Sequence, residues 1–209
     1  MHGKTSRRLT RVAALALLAA SAAVAIVLLV RPSGPSLALQ AGTPLPRPQA
    51  LPEFELLDHR GEAFTRASLE GQWTLLFTGF TNCPDVCPAT LAVLAVLGKR
   101  LRDSGGQLGT VFLSVDPGHD TPEVLADYVA HFDARLVGAT GDAPEIGRLV
   151  EGLGFSYIRI PAAEGRYTID HSAALALVDP EGRLSAWFRP PLDPGRIAAD
   201  LAPLVGARR

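Results

Sequence analysis

WTLLFTGFTNCPDVCPATL, residues 73–91, passes from an apolar run into the chain's two cysteines and on into a new apolar pattern. Residues 73–80 are apolar on both faces and bounded by Gly71, as a buried central strand should be. Apolar positions at Leu91, Leu94, Val96, Leu97 and Leu101, followed by the polar stop RDSGG, predict a helix over about 87–103. Cys83 and Cys87 therefore fall where a strand becomes a helix.

The rhythm continues downstream. GTVFLSVD (109–116) reads as a second buried strand, and TPEVLADYVAHF opens a helix with Thr121 as cap and Pro122 at its first position. A strand near 135–140, a helix near 143–153 and a strand near 155–160 follow. AALALVDPEGRLSAWF (173–188) reads as a hairpin turning at Asp179-Pro180-Glu181-Gly182, and a last helix runs from Pro194 to Leu204. Alternating strands and helices closed by a hairpin and helix predict an α/β fold of the thioredoxin kind over residues 53–209.

Upstream, residues 12–30 (VAALALLAASAAVAIVLLV) carry no charge. As a helix they span about 28 Å, close to a bilayer core. Lys4, Arg7, Arg8 and Arg11 precede the run and Arg31 follows it, whereas all 21 acidic residues come later. This predicts a cytoplasmic basic tail (1–11), a single-pass anchor (12–30) and an exported domain. Ala23-Val24-Ala25 has the small-x-small form of a cleaved signal, the rival reading. Residues 31–52, rich in Pro, Ser and Gly, read as an extended spacer. Setting the five N-terminal cations aside leaves 15 cations against 21 acids. That balance repels phosphate backbones and argues against a nucleic-acid partner.

Cysteines at i and i+4 near a helix start face one side, so one ion can touch both sulfurs or the two can form a disulfide. The positive helix end suits a metal-bound thiolate and a redox nucleophile alike. Three residues separate the cysteines, where thioredoxin-type redox motifs have two. A purely structural bridge would close too short a loop to remove much unfolded-state entropy. Of the five histidines, His2, His59 and His131 read as solvated, and His119 in DPGHDT follows a strand. His171 precedes the hairpin strand, in a loop that overlies the cysteine motif in a thioredoxin-like layer. The residues alone leave its role open. A peroxidase is disfavoured, because Phe80 stands where a TxxC frame needs Thr.

FTNCPDVCPATL, LSVDPGHDTPEVLADYVAHFD and YTIDHSAALALVDPEGRL together resemble the Sco (SenC/PrrC-type) copper-delivery family, over about residues 51–205. The family pattern is CxxxCP, a DPxxDTP segment, then a DHS-type histidine before a strand. The resemblance implies a thioredoxin-like domain holding one copper ion, Cu(I) or Cu(II), through Cys83, Cys87 and His171. It also implies Asp116 as an accessory acidic group in metal handling. His119 stands where many relatives carry Arg, which adds an imidazole near the rim as a second accessory candidate. The implied role is delivery to the binuclear copper site of cytochrome c oxidase. The copper-site subunit would be the partner, with a copper donor protein or a thiol reductant upstream. The implied setting is the bacterial cytoplasmic membrane, with the domain facing the periplasm or cell exterior. Two thiolates and an imidazole suit copper and leave a closed four-ligand zinc shell incomplete. The alternative function is a thiol:disulfide oxidoreductase acting on an exported partner such as the oxidase subunit, which needs both cysteines but not His171.

Overall fold

The strand at the centre of the molecule is the one the opening stretch encodes. In the computed structural model, which describes residues 37–206, β4 (Trp73–Gly79) has Leu75, Leu76 and Phe77 fully buried, so both of its faces are covered. It pairs in parallel with β5 (Leu108–Ser114), which pairs in parallel with β6 (Val137–Thr140). On its other side β4 meets β9 (Leu175–Val178), antiparallel, and β9 continues into β10 (Arg183–Phe188). The turn between β9 and β10 is the expected Asp179–Gly182, with Gly182 at φ 71° and the Asp179 carboxylate accepting the Glu181 and Arg183 amides.

Helices flank the sheet, the first two joining its parallel strands. These are α1 (Val86–Asp103), α2 (Pro122–Ala130), α3 (Ala143–Gly152) and, at the end of the chain, α4 (Pro194–Val205). α1 packs on β5 and α4, and α2 on β6. Thr121 caps α2 by accepting the Val124 amide, and Pro122 follows it, as expected. The core between the layers is built from Phe54, Phe77, Phe112, Phe188 and a large set of leucines. This is the thioredoxin-like arrangement.

Three features differ from expectation. First, the Pro-rich spacer expected over 31–52 is β1 (Thr43–Ala50) from Thr43 onward, antiparallel to β10, with Leu45 and Leu51 buried. Pro44, Pro46 and Pro48 alternate, so they remove amide donors from one edge only, which an edge strand tolerates. The folded unit thus starts ahead of residue 53. Second, β2 (Glu55–Asp58) and β3 (Ala63–Thr65) extend the sheet beyond β6, giving the order β1-β10-β9-β4-β5-β6-β2-β3. His59, expected to be solvated, is half-buried there, its Nδ1 accepting the Gly138 amide at 3.1 Å. Third, the strand near 155–160 is β7 (Tyr157–Pro161), and it pairs with an unforeseen β8 (Tyr167–His171) in a separate two-stranded sheet. The expected tail (1–11) and anchor (12–30) lie outside the described residues. Among the described residues, no helix is long and apolar enough to cross a membrane.

Candidate metal centre

The first turn of α1 positions both sulfurs. Asp85 occupies the cap position of α1, yet its side chain makes no capping bond. The Cys87 amide, one of the donors a helix start leaves unpaired, points at Cys83 Sγ at 3.4 Å instead. Pro88 sits in the same first turn, where its missing amide costs no helix bond. Cys83 is half-buried and Cys87 fully buried, and both are free thiols.

β8 supplies the third group. His171 Nε2 lies 3.4 Å from Cys87 Sγ, and the three ligand atoms of Cys83, Cys87 and His171 all lie within 4.8 Å of one another. His171 Nδ1 is 3.2 Å from the Ser172 carbonyl, which also accepts from Thr78 Oγ1. A proton on Nδ1 satisfies that carbonyl and leaves the Nε2 lone pair facing the sulfurs. The ring is held edge-on between Phe77 and Phe80, at centroid distances of 5.7 and 6.2 Å.

Burial sets the electrostatics. It holds the His171 imidazole below its ordinary range, against the opposing pull of the Ser172 carbonyl and Asp170. Burial also pushes the Cys87 thiol up, and its hydrogen bond with Cys83 adds to this, while a backbone contact with Phe80 opposes it. The neutral imidazole is ready to ligate, whereas a cation binding at Cys87 would displace the thiol proton to solvent.

The accessory candidates sit elsewhere. Asp116 and His119 are outside the three-group cluster. Asp116 is fully buried and bonded to Arg159 and Tyr167. His119 is 43% exposed in its side chain, and its Nδ1 lies 2.8 Å from Asp120 Oδ1. Asp120 in turn accepts from the Thr81 amide, Thr81 Oγ1 and Ser114 Oγ. This network braces the loop two residues before Cys83. His131 is exposed, as expected.

Sequence reasoning missed Gly79. A Cβ at that position would lie 2.8 Å from Cys87 Sγ and 2.8 Å from Phe112 Cε2, so the thiol seats directly on the backbone of β4. The available signal was a glycine at the end of an otherwise apolar strand, which marks a close approach.

A thioredoxin-like layer with two cysteines at a helix start and a histidine across from them defines a class: a domain built around a soft, three-ligand metal site. The SCO1/SenC family model matches residues 43–206, and the chain belongs to that family. A protein of Stutzerimonas stutzeri described as copper-binding is 40% identical over 149 residues, covering 71% of this chain and 73% of its own. The mitochondrial SCO2 homologue of Bos taurus is 38% identical over 139 residues, 65% of this chain, and the chain spans about half (52%) of that protein's length. Among solved structures, Bradyrhizobium japonicum ScoI with copper bound superposes with a TM-score of 0.67 at 36% identity, covering 73% of this chain and 97% of that one.

Proposed function

We propose that Cys83, Cys87 and His171 hold one copper ion as cargo, and that the protein delivers it to the binuclear copper site of cytochrome c oxidase during assembly. The observation that supports this reading is the convergence of two sulfurs and one Nε2 within 4.8 Å, with the imidazole tautomer fixed by Ser172. Two thiolates and one imidazole match Cu(I) and tolerate Cu(II). Three ligands also leave room for a partner's ligand to enter before the ion departs, as a carrier requires. The anchor at 12–30 would hold the domain at the cytoplasmic membrane facing outward, within reach of the copper-site subunit.

Titrating the reduced, detergent-purified protein with copper against a competing chelator tests this. His171→Ala should weaken copper binding by about tenfold or more. Unchanged binding removes His171 from the site.

One observation favours a second reading, thiol:disulfide exchange with an exported partner. Cys83 is half-buried and Cys87 fully buried, an accessible attacker beside a protected resolving thiol. That chemistry does not use His171. Cells carrying His171→Ala should lose oxidase copper and activity as fully as a deletion strain, and regain them with added copper. Normal oxidase in those cells, with failure in Cys83→Ser/Cys87→Ser cells, would put thiol exchange in place of copper delivery.

A further inference from the structure

The histidine of the metal centre stands on a strand that the main sheet does not hold. Among the described residues β7 and β8 pair as strands only with each other, and a lone two-stranded hairpin is marginal in water. Side chains must therefore help to hold it against the body. Alternation along β8 puts Tyr167, Ile169 and His171 on one face, and the register sets Arg159 of β7 opposite Ile169 on that same face. The other face carries Ile158 and Ile160, which are exposed. On the inward face Ile169 is buried and His171 lies between Phe77 and Phe80.

Two further groups on this face, Arg159 and Tyr167, converge on a single carboxylate. Asp116, two residues past the end of β5, has no solvent exposure. Arg159 Nη2 donates to its Oδ1 at 2.5 Å and the Tyr167 hydroxyl donates to its Oδ2 at 2.5 Å. The Arg159 guanidinium also lies over the Tyr167 ring, 3.9 Å from its centroid. Both carboxylate oxygens are therefore engaged by the hairpin. Charge-assisted bonds are more directional and stronger than neutral ones.

We propose that Asp116, Arg159 and Tyr167 are positioning residues: they latch the β7–β8 hairpin to the end of β5 and so set His171 against the two sulfurs, without Asp116 touching the metal. Tyr167 and His171 share a face four residues apart on one short strand, so a hairpin free to lift at Tyr167 is free to lift at His171. This rests on the copper-site reading above, and the test separates the two.

The full-length reduced protein in detergent is compared as Asp116→Asn, as the double variant Arg159→Ala/Tyr167→Phe, as His171→Ala, and with each latch change added to His171→Ala. Copper affinity comes from chelator competition, and the sulfur-to-Cu(II) charge-transfer band reports ligand geometry. The double variant keeps the Asp116 carboxylate but leaves it without its two hairpin partners, so each variant is first shown by circular dichroism and thermal melting to be folded at the titration temperature. Removing an outer partner of a metal ligand lowers affinity about 10–100-fold, and both latch variants should fall in that range with a shifted band. Neither should lower affinity further once His171 is alanine. Loss in Asp116→Asn with none in the double variant would make Asp116 a ligand and overturn the latch. An equal loss from the latch changes in the His171→Ala background would also overturn it, because the effect would not pass through His171. If His171→Ala alone changes nothing, the copper-site reading itself fails and the latch falls with it.

Discussion

Gly79→Ala tests how tightly the metal centre is seated on the sheet. The added Cβ would lie 2.8 Å from both Cys87 Sγ and Phe112 Cε2, inside van der Waals contact. Gly79 has no left-handed φ, so the objection to alanine is space alone. Phe112 is fully buried, with Phe77 at 6.2 Å and Tyr128 at 5.6 Å between ring centroids, and has nowhere to turn. Cys87 must therefore give way, moving relative to His171 Nε2, now 3.4 Å from its sulfur. Overpacking of this kind costs about 1–3 kcal/mol. The stiffer unfolded chain returns about 0.4–1 kcal/mol. A net loss near ~1.3 kcal/mol lowers the melting temperature by about 3–5 °C in a domain of this size. Copper affinity should fall by about tenfold, as when a ligand's support is disturbed. Melting followed by circular dichroism and chelator competition measure the two effects. Gly147→Ala is the control: it lies in α3 with nothing within 4 Å of its Cβ and should stabilise by about 0.5–1 kcal/mol. If Gly79→Ala melts and binds copper like the native protein, the seating of Cys87 on β4 is not what constrains the site.

Oxidation should act as a gate, since the disulfide offers the metal neither thiolate. Disulfide-bonded protein, verified by mass spectrometry, should bind copper far more weakly than reduced protein, and equal retention would remove both cysteines as ligands. Metal-free protein should also show a bounded stability plateau in pH. Because the folded His171 resists protonation, its contribution is present above the ordinary value of 6.5 and is lost as pH falls below it. Because the folded Cys87 resists deprotonation, its contribution is present below the ordinary value of 9.0 and is lost as pH rises beyond it. His171→Ala should flatten the acid side and Cys87→Ser the alkaline side of urea-midpoint profiles, and unchanged slopes would show the groups to be solvated. N-terminal sequencing of membrane-extracted protein should return residues upstream of 12, whereas a start just after Ala25 would mean a cleaved signal.

The parts of the fold that were legible in the sequence are those with a strong apolar period. β4, β5, α1 and the β9–β10 hairpin carry continuous buried runs or helical stripes, and their residues fall close to where the pattern puts them. β1 was hidden because three alternating prolines imitate a linker, and only pairing with β10 makes a strand of them. β8 has a single buried side chain, Ile169, too few to register as a pattern. The same gap concealed the metal centre's support. Cys83 and Cys87 announce themselves by local spacing, but Arg159 and Tyr167 meet Asp116 only through tertiary folding, 43 and 51 residues away along the chain. Asp116 was legible as an acidic group of interest, while its partners were not.

The three ligand groups differ in how firmly the fold holds them, and on the copper-delivery reading that difference gives transfer a direction. Cys87 is fixed from all sides, by the first turn of α1, by Gly79 and by burial. Cys83 stands in the loop before the helix, half-buried, and lines a cleft that opens between Phe80, Pro84, Val86 and His171. His171 ends a hairpin that, among the described residues, shares no strand pairing with the main sheet. An incoming thiolate or imidazole therefore meets Cys83 and His171 first, and the cheapest bond to open is the one whose protein side can move. Cys87 would let go last, with a proton from solvent taking the place of the ion on its buried sulfur. A site with three equally rigid ligands would bind the ion well and part with it slowly. Graded support lets the same residues grip and then release.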